Sequence, residues 1–307
     1  WKYRALLAAP GTGRLYAPPY SAGRVLEIDP ATSTAALIGP ELPEGDQKFL
    51  AMAAGANGRL YALPCGAGQV LEIDPAARAV RLLGQEVPGR SWKSHVCVEA
   101  ARGRLYSPPC WGSWQVLEVD PAAGEARGIG EELPEKGEKY WCLAAALNGR
   151  LYAPPCDARR ALEIDPATSA ARQIGQDLSA DVGKYWVVAR GANGRLYAPP
   201  YNASRVLEID PERGTARLIG DELPACGRKY QAIAELHGRL YCPPCSSGRV
   251  LEIDPARGTA RLVGPELSAG TWKKYVSLEP AEGRLYAPPC RDYGRALEIA
   301  PCAPGEE

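Results

Sequence analysis

The sequence predicts an all-β fold, a seven-bladed β-propeller whose blades are four-stranded and antiparallel. Each repeat carries four short β-rich runs separated by turn residues, and none of these runs has a sustained helical period. Four short strands in about 45 residues describe one propeller blade. The repeat is marked by the text Gly-Arg-Leu-Tyr, which occurs seven times at spacings of 44 to 46 residues and begins at Gly13, Gly58, Gly103, Gly149, Gly194, Gly238 and Gly283.

The fifth repeat shows how the elements are recognised. Asn193-Gly194 is a strong hairpin signal between the first two runs. Pro199-Pro200 ends the second run because proline cannot donate to a strand ladder. An Asp-Pro turn closes the third run, and Gly220 closes the fourth. The predicted strands of this repeat are residues 184–190, 195–198, 205–209 and 216–219.

We expect one domain over residues 1–307, because a single blade cannot bury both its faces and must stack on its neighbours. The approximate blade boundaries are 1–43, 44–88, 89–134, 135–178, 179–224, 225–268 and 269–307.

The last blade is predicted to lack its outer strand in this chain. The text after its third strand is rich in proline, which prevents a fourth strand. An exposed strand edge is a template for pairing with another segment. We therefore expect a missing segment or a partner at the open edge formed by Arg295, Ala296, Leu297, Glu298 and Ile299.

A family resemblance rests on residues 14–32, which read Arg-Leu-Tyr-Ala-Pro-Pro-Tyr-Ser-Ala-Gly-Arg-Val-Leu-Glu-Ile-Asp-Pro-Ala-Thr, and on the same stretch in later repeats. This text resembles the YVTN and NHL propeller families and, more distantly, the SMP-30 (gluconolactonase-like) propellers. The resemblance runs through the whole chain and implies an architecture rather than an activity. The chain departs from the YVTN pattern at the prolines after the tyrosine. Enzymes of the SMP-30 type place single acidic and amide residues around a central metal, and no such set can be mapped here.

Composition narrows the classes of partner. Lysine plus arginine equals aspartate plus glutamate at 36 each, which argues against a nucleic-acid partner or an anionic membrane bound through bulk charge. No apolar run approaches the roughly 20 residues of a membrane span, so we expect a soluble protein without direct membrane insertion.

The ten cysteines bear on the compartment. Five of them share one repeated position, directly after the corner proline of their blades: Cys65, Cys110, Cys156, Cys245 and Cys290. The other five share no common position, so a disulfide repeated in every blade is excluded. We expect mostly free thiols and an intracellular or organellar reducing compartment, although isolated bridges such as Cys226 with Cys245 stay open.

Signals of catalysis are weak. The two histidines, His95 and His237, have no histidine or acidic neighbour at metal-ligand spacing, and no phosphate-binding or zinc-protease motif occurs. Cys242 and Cys245 form a lone CxxC, which is weak evidence for zinc. We therefore expect no catalytic residue, no metal and no cofactor.

A residue that recurs at the same position of every repeat should form a ring around the propeller. Arginine opens every second strand and glutamate lies in every third strand, and these two rings are expected to pair within each blade. The lysine ring should lie at the mouth of the central channel, where it either pairs with acidic residues of the inter-blade loops, such as Glu41 and Asp177, or attracts an anionic ligand. Its members are Lys2, Lys48, Lys93, Lys139, Lys184, Lys229 and Lys274.

The leading functional interpretation is a non-enzymatic interaction or scaffold module, a subunit of a larger assembly with protein partners. Tryptophan is enriched at interaction hot spots, and the candidate partner-binding residues beside the lysines are Trp111, Trp114, Trp141 and Trp186. The alternative is a binder of anionic small molecules, or a lactonase-like enzyme, that uses the channel mouth. A unique unpaired ionisable group at the mouth would favour that alternative.

Overall fold

The computed structural model describes residues 1–84, 86, 98–100, 102–133, 137–267, 273–291 and 293–300. The strands in these residues form seven antiparallel sheets, six with four strands and the last with three. Each sheet is one blade, and the strands follow the chain order within it. The prediction of a seven-bladed propeller whose last blade lacks its outer strand is confirmed. Among the residues described, no helix has the length and apolar character needed to cross a membrane.

Two compact units make up the chain. The first is Trp1–Ala145 with Gly149–Leu151 and Ile164–Arg172, and the second is Ala146–Asn148, Tyr152–Glu163 and Gln173–Glu307. Blades one to three belong to the first unit and blades five to seven to the second. A single domain over the whole chain stays a prediction.

The first three blades contain twelve strands. They are β1 (Leu7–Ala8), β2 (Leu15–Ala17), β3 (Val25–Asp29), β4 (Thr34–Ile38), β5 (Phe49–Ala54), β6 (Leu60–Pro64), β7 (Val70–Asp74), β8 (Ala79–Leu83), β9 (Val98–Glu99), β10 (Leu105–Ser107), β11 (Val116–Asp120) and β12 (Glu125–Ile129).

The remaining four blades contain fifteen strands. They are β13 (Ala144–Ala145), β14 (Leu151–Ala153), β15 (Ala161–Asp165), β16 (Ala170–Ile174), β17 (Ala189–Arg190), β18 (Leu196–Ala198), β19 (Val206–Asp210), β20 (Thr215–Ile219), β21 (Ala234–Leu236), β22 (Arg239–Cys242), β23 (Val250–Asp254), β24 (Thr259–Val263), β25 (Glu279–Ala281), β26 (Arg284–Ala287) and β27 (Leu297–Ile299).

The first strands are shorter than the sequence predicts. In the fifth blade only Ala189–Arg190 pairs regularly, and Tyr185 adds an isolated bridge to Pro200. The prediction of a strand from residue 184 to 190 is therefore wrong over its first half. The physical reason is the proline pair, because neither proline can donate to the neighbouring strand.

The second blade is an internal control for this effect. Leu63 stands where other blades have the first corner proline. There β5 pairs with β6 from Phe49 to Ala54, with one irregularity in register between Phe49 and Ala51. The backbone N–H of Leu63 is a donor that a proline would lack, and the first strand of this blade is longer.

Glycines allow neighbouring outer strands to approach. Gly220 follows β20 with a left-handed φ of 71°, and a Cβ placed there would lie 2.8 Å from the Cβ of Ala260 on β24. In the same way, a Cβ placed at Gly175 would lie 2.6 Å from the Cβ of Ala216. Within each unit, therefore, the glycine that ends one outer strand makes room for a small residue on the next.

Candidate functional site

A buried polar network joins the strands of each blade. In the fifth blade the Tyr197 hydroxyl donates to the Glu208 carboxylate at 3.0 Å, and Arg217 on the outer strand donates to the same group at 2.7 Å. Arg195 forms an ion pair with Glu208 at 3.3 Å. Burial raises the pKa of Tyr197 to about 12, and the adjacent carboxylate contributes to the increase. The predicted pairing of the arginine and glutamate rings is confirmed here.

The same network recurs along the chain. Arginine of the second strand pairs with glutamate of the third in Arg14–Glu27, Arg59–Glu72, Arg104–Glu118, Arg239–Glu252 and Arg284–Glu298. The tyrosine of Gly-Arg-Leu-Tyr was not predicted as a partner of the glutamate, although it precedes the glutamate by 11 or 12 residues in every repeat. These ion pairs join the second and third strands of their blades.

The lysines are buried rather than displayed. Lys48, Lys139, Lys184, Lys229 and Lys274 are each at most 6% exposed, whereas Lys2 is exposed. Lys93 lies outside the described residues. Burial lowers the pKa of Lys184, Lys229 and Lys274, because charge is disfavoured away from water.

The lysine ammonium groups bond to main-chain carbonyls. Lys48 Nζ donates to the Gly45 oxygen at 2.7 Å, and Lys229 Nζ donates to the Cys226 oxygen at 2.6 Å. Lys139 Nζ donates to the Ser113 oxygen at 2.9 Å.

Two of the acidic inter-blade residues expected to pair with the lysines form ion pairs with arginines instead. Glu41 forms its ion pair with Arg24 at 3.7 Å, and Asp177 forms its ion pair with Arg159 at 3.5 Å.

Backbone hydrogen bonds join several of the lysines to the residues that follow the corner prolines. The Lys229 N–H donates to the Tyr201 oxygen at 2.8 Å, and the Cys245 N–H donates to the Lys229 oxygen at 2.8 Å. The Lys274 N–H in turn donates a hydrogen bond to the Cys245 oxygen at 2.8 Å. The residue after the prolines is needed for its N–H and C=O groups, so its side chain can vary. This explains why cysteine and tyrosine interchange at that position.

Variation between blades is concentrated beside these corners, two residues after the lysine. Trp186 occupies this position in the fifth blade and stacks on Tyr201, with ring centroids 4.5 Å apart. In the sixth blade Gln231 accepts a bond from the Cys245 thiol at 3.5 Å. Trp141 occupies the same position in the fourth repeat and, like Trp186, is half-buried. These two tryptophans are less exposed than Trp111 and Trp114, and their partner-binding role stays a prediction.

The loop after the third proline corner displays two indoles. Trp111 is 45% exposed and Trp114 is 57% exposed. Trp111 Nε1 donates to a carboxylate oxygen of Glu138 at 2.7 Å. Between the indoles, Ser113 is buried, and its carbonyl accepts the bond from Lys139. The loop is therefore held by buried Ser113 and its bond to Lys139, while both indoles are exposed to water.

The eight described cysteines are all thiols, and four of the five corner cysteines are buried. Burial raises the pKa of Cys245 and Cys242, which makes these thiols less reactive. The bridge between Cys226 and Cys245, which the sequence left open, is not formed. Cys97 and Cys302 lie outside the described residues.

Groups suited to metal or acid–base chemistry are scarce in the described part of the chain. It contains no group of three or more His, Cys, Asp or Glu side chains able to hold a metal ion. His237 is exposed in the hairpin between β21 and β22, and His95 is not described. A cavity of about 500 Å³ in the second unit is lined in part by Asn202, Glu222 and Lys229. The lysine there already bonds to main-chain oxygens.

The edge of the seventh blade lies where the sequence places it. β27 pairs with β26 on one side, through Leu285↔Ile299, Tyr286↔Glu298 and Ala287↔Leu297. Arg295, Ala296 and Glu298 are exposed, Leu297 is half-buried and Ile299 is buried. No strand among the described residues pairs with its other side.

Comparison with known proteins gives similarity in fold alone. No model of a known protein family matches the chain, and no curated protein matches it. Among solved structures, virginiamycin B lyase from Staphylococcus aureus is 12% identical with a TM-score of 0.60, covering 94% of this chain and 91% of that one. The extracellular domain of a putative one-component system from B. thetaiotaomicron is 14% identical with a TM-score of 0.53, covering 97% of this chain and 40% of that one. The same fold thus occurs in an enzyme and in an extracellular domain of a signalling protein.

Proposed function

We propose that this chain is a non-enzymatic β-propeller that binds a protein partner as a subunit of a larger assembly. The observation that carries the proposal is the pair of exposed indoles at Trp111 and Trp114, on a loop anchored by buried Ser113. Exposed tryptophans on a fixed support are the anchors that protein interfaces use most. Trp141 and Trp186 are packed at the corners and contribute less.

The repeated ionisable groups support the same proposal. The arginine and glutamate rings bond to each other, and the ammonium groups of Lys48, Lys139 and Lys229 are bound by main-chain carbonyls. An anionic ligand at these lysines would have to compete with those bonds. One of the lyase structures is described as a catalytically inactive histidine-to-alanine variant, whereas His237 of this chain lies on a hairpin turn. These observations favour interaction over catalysis.

The experiment compares co-purification from the native source by the unmodified chain and by a variant carrying Trp111→Ala and Trp114→Ala. We expect the double substitution to abolish one or more specific co-purifying chains without changing the unfolding midpoint. Leu147→Ala is the matched control, because Leu147 is 73% exposed but lies on a hairpin turn between β13 and β14. Identical sets of co-purifying chains for all three proteins would refute the role of the indoles.

A further inference from the structure

No strand among residues 1–300 that the structure describes covers the outer edge of the seventh blade, whereas the six other blades each have such a strand. In the sixth blade β24 covers β23, and Arg261 on β24 donates to Glu252 at 2.7 Å. The Glu252 side chain is 7% exposed, whereas the side chain of Glu298, the equivalent residue of the seventh blade, is 46% exposed. The acidic group of β27 therefore lacks the second arginine that blades two, three, five and six supply from their outer strands.

The open space beside Gly264, at the end of the neighbouring outer strand, also indicates a missing strand at this edge. Five glycines that follow outer strands each leave room for the side chain of a residue on the next outer strand: Gly39 for Val80, Gly84 for Ala126, Gly130 for Ala171, Gly175 for Ala216 and Gly220 for Ala260. Gly264, the sixth, has no described atom within 4 Å of the position its Cβ would take. The strand that would use this space is the outer strand of the seventh blade.

We propose that the edge of β27 is a docking site for an arginine-bearing β-strand supplied by a partner protein. The inference rests on the proposed function, because it names a second surface through which the module binds that partner. Charge complementarity at Glu298 and the vacant space at Gly264 define the occupant.

The other blades specify the register of this strand. In the fifth blade Ile209 is opposite Ala216, Glu208 is opposite Arg217 and Val206 is opposite Ile219. By the same register, the partner strand runs antiparallel to β27 and places a small residue opposite Ile299. Its arginine lies opposite Glu298, and a β-branched residue lies opposite Ala296. Backbone bonds supply affinity in such strand addition, and the alternating side chains supply specificity.

The probe is the peptide Gly-Thr-Ala-Arg-Leu-Ile-Gly, a copy of residues 214–220. We expect saturable binding to the full chain and slower amide hydrogen exchange at Leu297–Ile299. A peptide with glutamate in place of arginine should bind at least tenfold more weakly, which corresponds to about 1.4 kcal/mol. Glu298→Arg should reverse this preference.

Gly264→Ala should weaken binding of the arginine peptide, because its methyl group fills the space for the small residue. Gly11→Ala is the matched control, since Gly11 has a similar φ of 76° and an equally open Cβ position in a hairpin turn. Measurement of hydrogen exchange in the unmodified chain needs no substitution and remains informative if a variant does not fold.

Unchanged exchange at Leu297–Ile299 would overturn the proposal, as would equal binding of the two peptides. Exchange protection that rises with protein concentration and without peptide would show that a second copy occupies the edge, which also overturns it. If a partner that depends on Trp111 and Trp114 still co-purifies while the edge stays unprotected, this inference fails and the proposed function stands.

Discussion

Blades six and seven have nearly the same text but bury it differently. Both carry Arg-Leu-Tyr on the second strand and Leu-Glu-Ile on the third. Tyr241 and Leu251 of blade six are buried, whereas Tyr286 of blade seven is 37% exposed and Leu297 is half-buried. Among the described residues the two blades differ in the outer strand, which only blade six has. Burial of the polar network is thus decided by what covers a blade, not by the blade's own repeat.

The largest expected contrast is in the apolar core. Leu251→Ala should lower the free energy of unfolding by about 2–5 kcal/mol, because Leu251 is fully buried. Leu297→Ala, at the same repeat position, should cost about 1 kcal/mol, since part of its side chain is already in water. Denaturant unfolding of both variants measures the difference. Equal losses would mean that the edge of blade seven is covered in solution.

The second contrast uses the glycines at the ends of the outer strands. Gly220→Ala and Gly264→Ala both place a side chain at a left-handed φ, of 71° and 74°, which costs about 1–2 kcal/mol in each. Only Gly220→Ala forces a methyl group against Ala260, which should add about 1–3 kcal/mol of overpacking. The unfolding free energies of the pair isolate the packing between neighbouring outer strands. A larger loss for Gly264→Ala would contradict the vacancy.

The third contrast concerns the buried carboxylates. Glu252→Gln removes the negative charge and replaces one of the two oxygens that accept bonds from Arg239, Arg261 and Tyr241 with an amide NH2 group. It should cost about 1.5–3 kcal/mol. Glu298→Gln should cost about 0–1 kcal/mol, because its ion pair with Arg284 is solvated. Chemical denaturation at low and high salt separates the two, since screening weakens only the exposed pair appreciably.

The smallest expected effect is in the alkaline range. Burial, assisted by Glu252, raises the pKa of Tyr241 to about 12 from an ordinary value of 10.0. The Tyr241 hydroxyl therefore stays protonated to a higher pH in the folded chain than in the unfolded chain. The stability it contributes is complete below pH 10 and is lost as the pH rises toward 12. Tyr241→Phe should reduce the loss of stability between pH 10 and pH 12, measured by denaturant unfolding across this range.

Much of the architecture could be predicted because the same pattern of strands and turns is repeated seven times in the sequence. Turn glycines and prolines fix where strands end, so the strands and the incomplete last blade follow from local chemistry. The pairing of Arg195 with Glu208 follows from strand adjacency. The carbonyl acceptors of Lys48 and Lys229 could not be predicted, because every residue carries a main-chain carbonyl and only the path of the chain decides which one reaches the ammonium group.

The sequence by itself determined the repeat, the ends of the second strands at the prolines and the absence of a fourth strand from the described part of blade seven, because each depends on a backbone constraint within a few residues. Only the tertiary structure decided that Lys229 is bound by main-chain oxygens, that Trp186 is packed while Trp111 is displayed, and that Gly264 faces a vacant position. These features depend on which surfaces neighbouring blades cover, and burial of that kind is a property of packing between segments distant in the chain.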